Sequence, residues 1–303
     1  MSSFSKNRLL ERIRPLHVVS LVACYLLGAG LARHLGVLID WSAFLLGLLW
    51  SMFTAVGFFM LADHFQTGER LGLLLRFPIQ PDRDPERTEE KESEELIYLA
   101  ASLLAAAAVT SLFIFRLPVF SIEMAFLMTL FFGGFFLLTA PGIQMADSGL
   151  AEPLTSLLLV LIPPALGYTL QTGEYHRFLA LSVFPLYPLH LAMLLFWQLP
   201  EYSRDLRLGR KTLMIRLGWL QGIFVHNLLV LTGFLLFGAG VLFGFPARIG
   251  GPILLVLPLA GYLIWYLSRL KDGAPTRWLP LSLLSGSLYF LPVYLITYSY
   301  WIR

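Results

Sequence analysis

Two polar stretches, each at the end of a long apolar block, hold carboxylates that could bind a metal. The first runs from Leu61 to Arg70 and contains Asp63, Gln66 and Glu69. The second runs from Trp197 to Leu213 and contains Gln198, Glu201 and Asp205, followed closely by Arg204, Arg207, Arg210 and Lys211. Glu201 and Asp205 are four residues apart, so on a helix both carboxylates share one face, one turn apart. Oxygen ligands at that spacing suit Mg²⁺, which takes one or two carboxylates together with substrate phosphates and waters. The four basic side chains could hold phosphate oxygens through charge-assisted hydrogen bonds. Acid and base at the end of an apolar block suit a metal-bridged diphosphate with its lipid tail among the apolar segments. Spacing alone leaves a second reading open, in which the acid pair is solvated loop surface. His64 and His190, in or beside apolar blocks, read as hydrogen-bonded packing residues.

The elements that must position these residues are membrane spans. The chain is 57% hydrophobic and 14% charged, with a mean hydropathy of +0.72. A soluble domain carries about a quarter charged residues. A span needs about 20 mostly apolar residues. Nine segments qualify: 15–35, 42–62, 95–115, 119–140, 152–171, 178–198, 218–243, 249–269 and 278–301. The fifth contains Pro163 and Pro164, which a membrane helix tolerates when its neighbours satisfy the freed carbonyls. The basic start, Lys6 to Arg14, leads into a span rather than into a cleavable signal peptide. With the N-terminus cytoplasmic, 17 of the 22 Lys and Arg fall on the inner side and 5 on the outer, as the positive-inside rule requires. Both acidic stretches follow even-numbered spans and therefore share one side.

No linker divides residues 1–303, so the chain reads as a single all-α helical bundle embedded in the bilayer. Cys24 is the single cysteine, which excludes an intramolecular disulfide and a multi-cysteine metal site. A net charge of +3 without a basic stripe argues against a nucleic-acid partner. Clustered acids at span ends, rather than near the bilayer midplane, argue against a small-solute transporter.

A longer pattern sharpens the reading. Gln198, Glu201 and Asp205 form a spaced trio, followed by Gly209-Arg210-Lys211-Thr212-Leu213 and then Arg216-Leu217-Gly218. This resembles the second Asp-rich motif of UbiA-type prenyltransferases. Leu138-Thr139-Ala140-Pro141 and Asp147-Ser148-Gly149-Leu150-Ala151-Glu152 resemble the family segment after the fourth span. Gly167-Tyr168-Thr169-Leu170-Gln171-Thr172-Gly173 is similar to the branch that prenylates dihydroxynaphthoate on the route to menaquinone. The resemblance covers roughly residues 15–300.

The resemblance implies a nine-helix membrane fold and Mg²⁺-dependent transfer of a prenyl group. The donor would be a polyprenyl diphosphate, and the acceptor an aromatic compound in quinone or related lipid synthesis. Asp63, Glu201 and Asp205 would be the catalytic acids. The metal ligands would be drawn from Asp63, Gln66, Glu69, Gln198, Glu201 and Asp205, and the diphosphate would meet Arg204, Arg207, Arg210 and Lys211. The expected location is the inner membrane of a prokaryote. Departures are clear: Ala62 and Gln66 replace an Asn and an Asp of the first motif, Gln198 is neutral, and Glu201 replaces an Asp. A weakened or inactive member that binds isoprenoid lipid is the alternative these departures imply.

Overall fold

A computed structural model describes residues 13–65, 89–140, 149–207, 209–270 and 277–302. Among these the chain is helical, with no strand, and nine helical stretches are long and apolar enough to cross a membrane. The first four spans are single helices: α1 (Pro15–His34), α2 (Trp41–Phe65), α3 (Glu89–Ile114) and α4 (Ile122–Thr139). The fifth is α5 (Ala151–Val160) followed by α6 (Ile162–Thr172), and the sixth is α7 (Arg177–Val183) followed by α8 (Leu186–Gln198). Two short helices, α9 (Tyr202–Arg207) and α10 (Leu213–Leu217), precede the seventh span, α11 (Trp219–Leu242). The eighth is α12 (Ala247–Gly250), a 3₁₀ turn (Gly251–Val256) and α13 (Leu257–Ser268), and the ninth is α14 (Trp278–Ile302).

The expected spans match these within a few residues. The fourth starts at Ile122 rather than 119 because Ser121 caps it, its side chain accepting from the Met124 amide at 3.3 Å. The paired helices follow proline placement. Pro163 and Pro164 open α6, and Pro252 and Pro258 open the 3₁₀ turn and α13, positions where the missing amide hydrogen costs least.

The middle of the bundle is built on α1. Leu21, Tyr25 and Ala29, one turn apart, pack into a cluster with α2, α4, α5 and α6. Cys24, Leu27 and Leu31 face a second cluster formed with α8, α11, α13 and α14. Backbones approach closely at glycines, as in other membrane bundles. A Cβ on Gly28 would lie 1.9 Å from the Pro164 carbonyl oxygen, and one on Gly167 would lie 2.5 Å from that of Tyr25. Polar ties close the bundle: the Tyr289 hydroxyl meets Ser20 Oγ at 2.6 Å, and Trp301 Nε1 donates to the Leu26 carbonyl at 2.9 Å. On α11, Leu220, Phe224, Leu228, Leu231 and Leu235 form an exposed apolar stripe, the kind of face a bilayer covers.

Candidate active site

Asp63 lies in the last turn of α2, where it meets the start of α1. Arg14 Nη2 donates to Asp63 Oδ1 at 2.7 Å in a largely buried pair. Arg14 adopts a left-handed backbone, with φ of 55°, immediately before Pro15, and this turns the incoming chain into the helix. Its guanidinium also lies over the Phe59 ring, 5.0 Å from the centroid. Arg14 counted in the sequence only as a topology charge. Its place one residue before an N1 proline was the available signal that its side chain would sit at a helix entrance.

The second acidic stretch folds as its spacing requires. The Asp205 amide donates to the Glu201 carbonyl at 2.8 Å, so the two acids are one helical turn apart. Glu201 pairs with Arg204 at 3.5 Å on the surface. Asp205 is 2% exposed and accepts from Arg210 Nη1 at 2.6 Å. Burial pushes the Asp205 carboxyl above its ordinary value, and the hydrogen bond and charge of Arg210 pull it back. Gly209, with φ of 65°, makes the reversal that returns Arg210 to Asp205. Arg207 and Lys211 are exposed.

A buried clasp holds this stretch to the bundle. Glu152, in the first turn of α5, is 0% exposed. Its Oε1 accepts from Gln198 Nε2 at 2.7 Å and from the Leu213 amide at 3.0 Å. Gln198 Oε1 in turn accepts from the Met214 amide at 3.1 Å. The start of α10, whose first amides lack intrahelical partners, is thus held by a carboxylate and an amide from two spans. Thr212 completes it as the N-cap, accepting from the Ile215 amide at 3.3 Å. Gly149, with φ of 69°, lies under Arg216, whose Cδ would sit 2.5 Å from a Cβ there. The Gly-Leu-Ala-Glu and Thr-Leu…Arg segments therefore meet in space.

Of the expected site residues, Glu201, Asp205, Arg204 and Arg210 form one group, and Gln198 joins it through α10. Asp63 stands in a separate pair with Arg14. Gln66 and Glu69 lie outside the described residues. Among the described residues no three His, Cys, Asp or Glu side chains form a ready metal cage. The donor chemistry nevertheless fits a hard divalent cation. Asp63, Glu201 and Asp205 offer carboxylate oxygens, and the arginines on them are groups that phosphate oxygens can also engage. Glu152 had been quoted in the sequence only as part of the pattern. A carboxylate in the first turn of an apolar span, facing a glutamine in the last turn of the next, was the signal for the clasp.

Comparisons with known proteins bear on the fold and the family. No curated protein matches the chain. Two solved structures of a UbiA homolog from Archaeoglobus fulgidus share the fold. One, bound to GPP and Mg²⁺, aligns with a TM-score of 0.60 at 15% identity, covering 95% of this chain and 99% of that one. The other, bound to DMAPP and Mg²⁺, aligns with a TM-score of 0.61 at 15% identity over 95% and 98%. The model of the UbiA prenyltransferase family matches residues 82–300. That match spans more than two thirds of the sequence, and the chain belongs to the UbiA prenyltransferase family.

Proposed function

We propose that this protein transfers a prenyl group from a polyprenyl diphosphate to an aromatic acceptor, with Mg²⁺ as cofactor. The observation that carries the reading is the buried Asp205–Arg210 pair, set one turn from Glu201 and locked to the bundle through Glu152 and Gln198. Asp63, Glu201 and Asp205 would hold the metal, with Gln66, Glu69 and the second lone pair of Gln198 Oε1 available as further oxygen ligands. The bound ion would supply positive charge to the leaving diphosphate as the allylic C–O bond breaks. Arg204, Arg207, Arg210 and Lys211 hold its phosphate oxygens. Apolar side chains around the site, among them Phe59 under the Arg14 guanidinium, would keep water from the reacting carbon.

The acceptor is proposed only as an aromatic ring of quinone-type lipid synthesis. In the stretch that resembles the dihydroxynaphthoate branch, Gly167 makes a helix contact and Gly173 ends α6 with φ of 74°. Those are fold roles, which favour no particular acceptor. The proposed location is a prokaryotic inner membrane with the N-terminus cytoplasmic, supported by the basic bias.

A second reading has its own support. Both acids that match the motif positions, Asp63 and Asp205, are arginine-bound, and Gln198 spends its amide on the clasp. A lipid-binding member without turnover would tolerate this. Membranes carrying the full chain, incubated with labelled prenyl diphosphates and aromatic acids with and without Mg²⁺, separate the two. Prenylated product that depends on Mg²⁺ supports transfer. Mg²⁺-dependent donor binding without product supports the second reading.

A further inference from the structure

One turn inside the Arg14–Asp63 pair, two histidines face each other from different spans. His17 of α1 and His190 of α8 stand in a T-shaped arrangement with ring centroids 6.3 Å apart. They are 2% and 0% exposed. His190 Nδ1 is tied to Ser156 Oγ at 2.9 Å, one turn along α5 from Glu152. The remaining ring nitrogens, His17 Nδ1 and Nε2 and His190 Nε2, have no hydrogen-bond partner among the described residues. Aromatic edges flank the pair: Phe59 lies 5.9 Å from His17, and Tyr289 lies 4.8 Å from His190. The Tyr289 hydroxyl is itself occupied by Ser20 and Cys24.

Three buried, unpartnered nitrogens are costly. A neutral imidazole offers one donor and one acceptor. A prenyl chain could satisfy neither, and a diphosphate would have to leave the arginines to reach them. A planar ring bearing a hydroxyl meets both demands, because its O–H can donate, its oxygen can accept, and its apolar ring suits a setting that already holds the Phe59 and Tyr289 rings.

We propose that His17 and His190 form a buried seat for the hydroxyl of an aromatic ligand. This rests on the prenyl-transfer reading only in making that ligand the acceptor; the seat itself is a binding site and is tested without turnover. The probe is 1-naphthol, titrated into the full chain in nanodiscs against nanodiscs lacking protein, with 1-methoxynaphthalene as the analogue that cannot donate. Binding of GPP with Mg²⁺ is measured on the same samples.

The wild type is expected to bind naphthol more tightly than the methoxy analogue. His17→Phe and His190→Phe should each weaken naphthol binding about tenfold, the equivalent of one lost hydrogen bond of about 1.4 kcal/mol. GPP binding should not change, the thermal midpoint should hold in His17→Phe and fall only by the few degrees that the lost Ser156 bond costs in His190→Phe, and His190→Gln should recover part of the affinity. Absence of naphthol binding in the wild type would overturn the proposal. So would unchanged naphthol affinity in both Phe variants, or parallel loss of naphthol, GPP and thermal stability, which marks a packing role. His-dependent naphthol binding without any GPP binding would leave the seat standing and refute the prenyl-transfer reading instead.

Discussion

Replacing Glu152 tests whether the buried clasp sets the shape of the site. In Glu152→Ala, Gln198 Nε2 and the Leu213 amide lose the oxygen they share. Hydrogen bonds to a charged group contribute about 1.5–3 kcal/mol each, so the two together are worth about 3–6 kcal/mol, and the vacated volume adds to that. Glu152→Gln keeps an amide oxygen that can accept both bonds, with a loss of about 1–2 kcal/mol as they become neutral. The variants should therefore differ by about 2 kcal/mol or more. At a few degrees per kcal/mol, the thermal midpoint of Glu152→Ala should fall about 6 °C or more, followed by tryptophan fluorescence in nanodiscs. The site readout is the affinity for prenyl diphosphate with Mg²⁺. It should drop at least about tenfold in Glu152→Ala, because α10 and the adjoining Arg210 and Lys211 lose their anchor, and it should largely return in Glu152→Gln. An Ala variant as stable and as tight-binding as the wild type would refute the clasp. A Gln variant as damaged as the Ala variant would mean that the charge matters and the shared oxygen does not.

Asp205→Asn should reduce turnover by orders of magnitude while the protein still folds, since each ~1.4 kcal/mol of lost transition-state stabilisation is about tenfold in rate; unchanged product formation would exclude this acid from the reaction. Asp63→Asn should act in the same direction, and Gln66→Asp should raise activity by restoring a second motif acid. Arg210→Met removes the charge that pulls Asp205 down, so the acidic limb of the Mg²⁺-dependent pH–activity profile should move to higher pH, whereas a limb that stays in place would separate Asp205 from that ionisation. Because burial raises this carboxyl, the folded form holds its proton to higher pH than the unfolded chain. Stability from this group therefore falls as pH rises through the window above the ordinary carboxylate value. Gly28→Ala should cost several kcal/mol, about 3 or more, because its Cβ would meet backbone at 1.9 Å, whereas Gly57→Ala, which first meets the Leu104 side chain at 3.0 Å and Leu103 Cβ at 3.4 Å rather than backbone, should cost far less; equal thermal midpoints would contradict the packing. Reporter fusions at Gln80 and Arg303 should report opposite sides of the membrane, and agreement between them would break the nine-span topology.

Length and hydropathy made the spans readable, because a bilayer demands about 20 apolar residues whatever the packing. The acid spacing was equally legible: Glu201 and Asp205 share a turn as it required. Thr212, which caps α10, and Gly209 and Gly218, which take positive φ, stood in the motif as pattern letters without a structural role. What stayed hidden depends on which helices touch. Nothing local to Arg14 shows that it meets Asp63 across 49 residues, and nothing local to Glu152 shows that it reaches both Gln198 and the α10 amides. His190 reads as a packing residue until His17 appears opposite it. Hydropathy also hides the breaks at Leu161, Phe184 and Val256, since prolines inside an apolar run leave its mean unchanged.

The central place of α1 bears on how the protein is made. α1 is made before the other described spans, and elongating chains begin to fold from the N-terminal side. Yet Ser20 and Leu26 find their partners in Tyr289 and Trp301 of α14, at separations of 269 and 275 residues. α1 is thus completed only when α14 arrives. Throughout elongation its buried hydroxyl and histidine groups must be shielded by lipid headgroups, by the insertion machinery or by provisional neighbours. Losing α14 would leave the oldest part of the bundle unfinished, so damage at the C-terminal end of the chain would be felt at its N-terminal end.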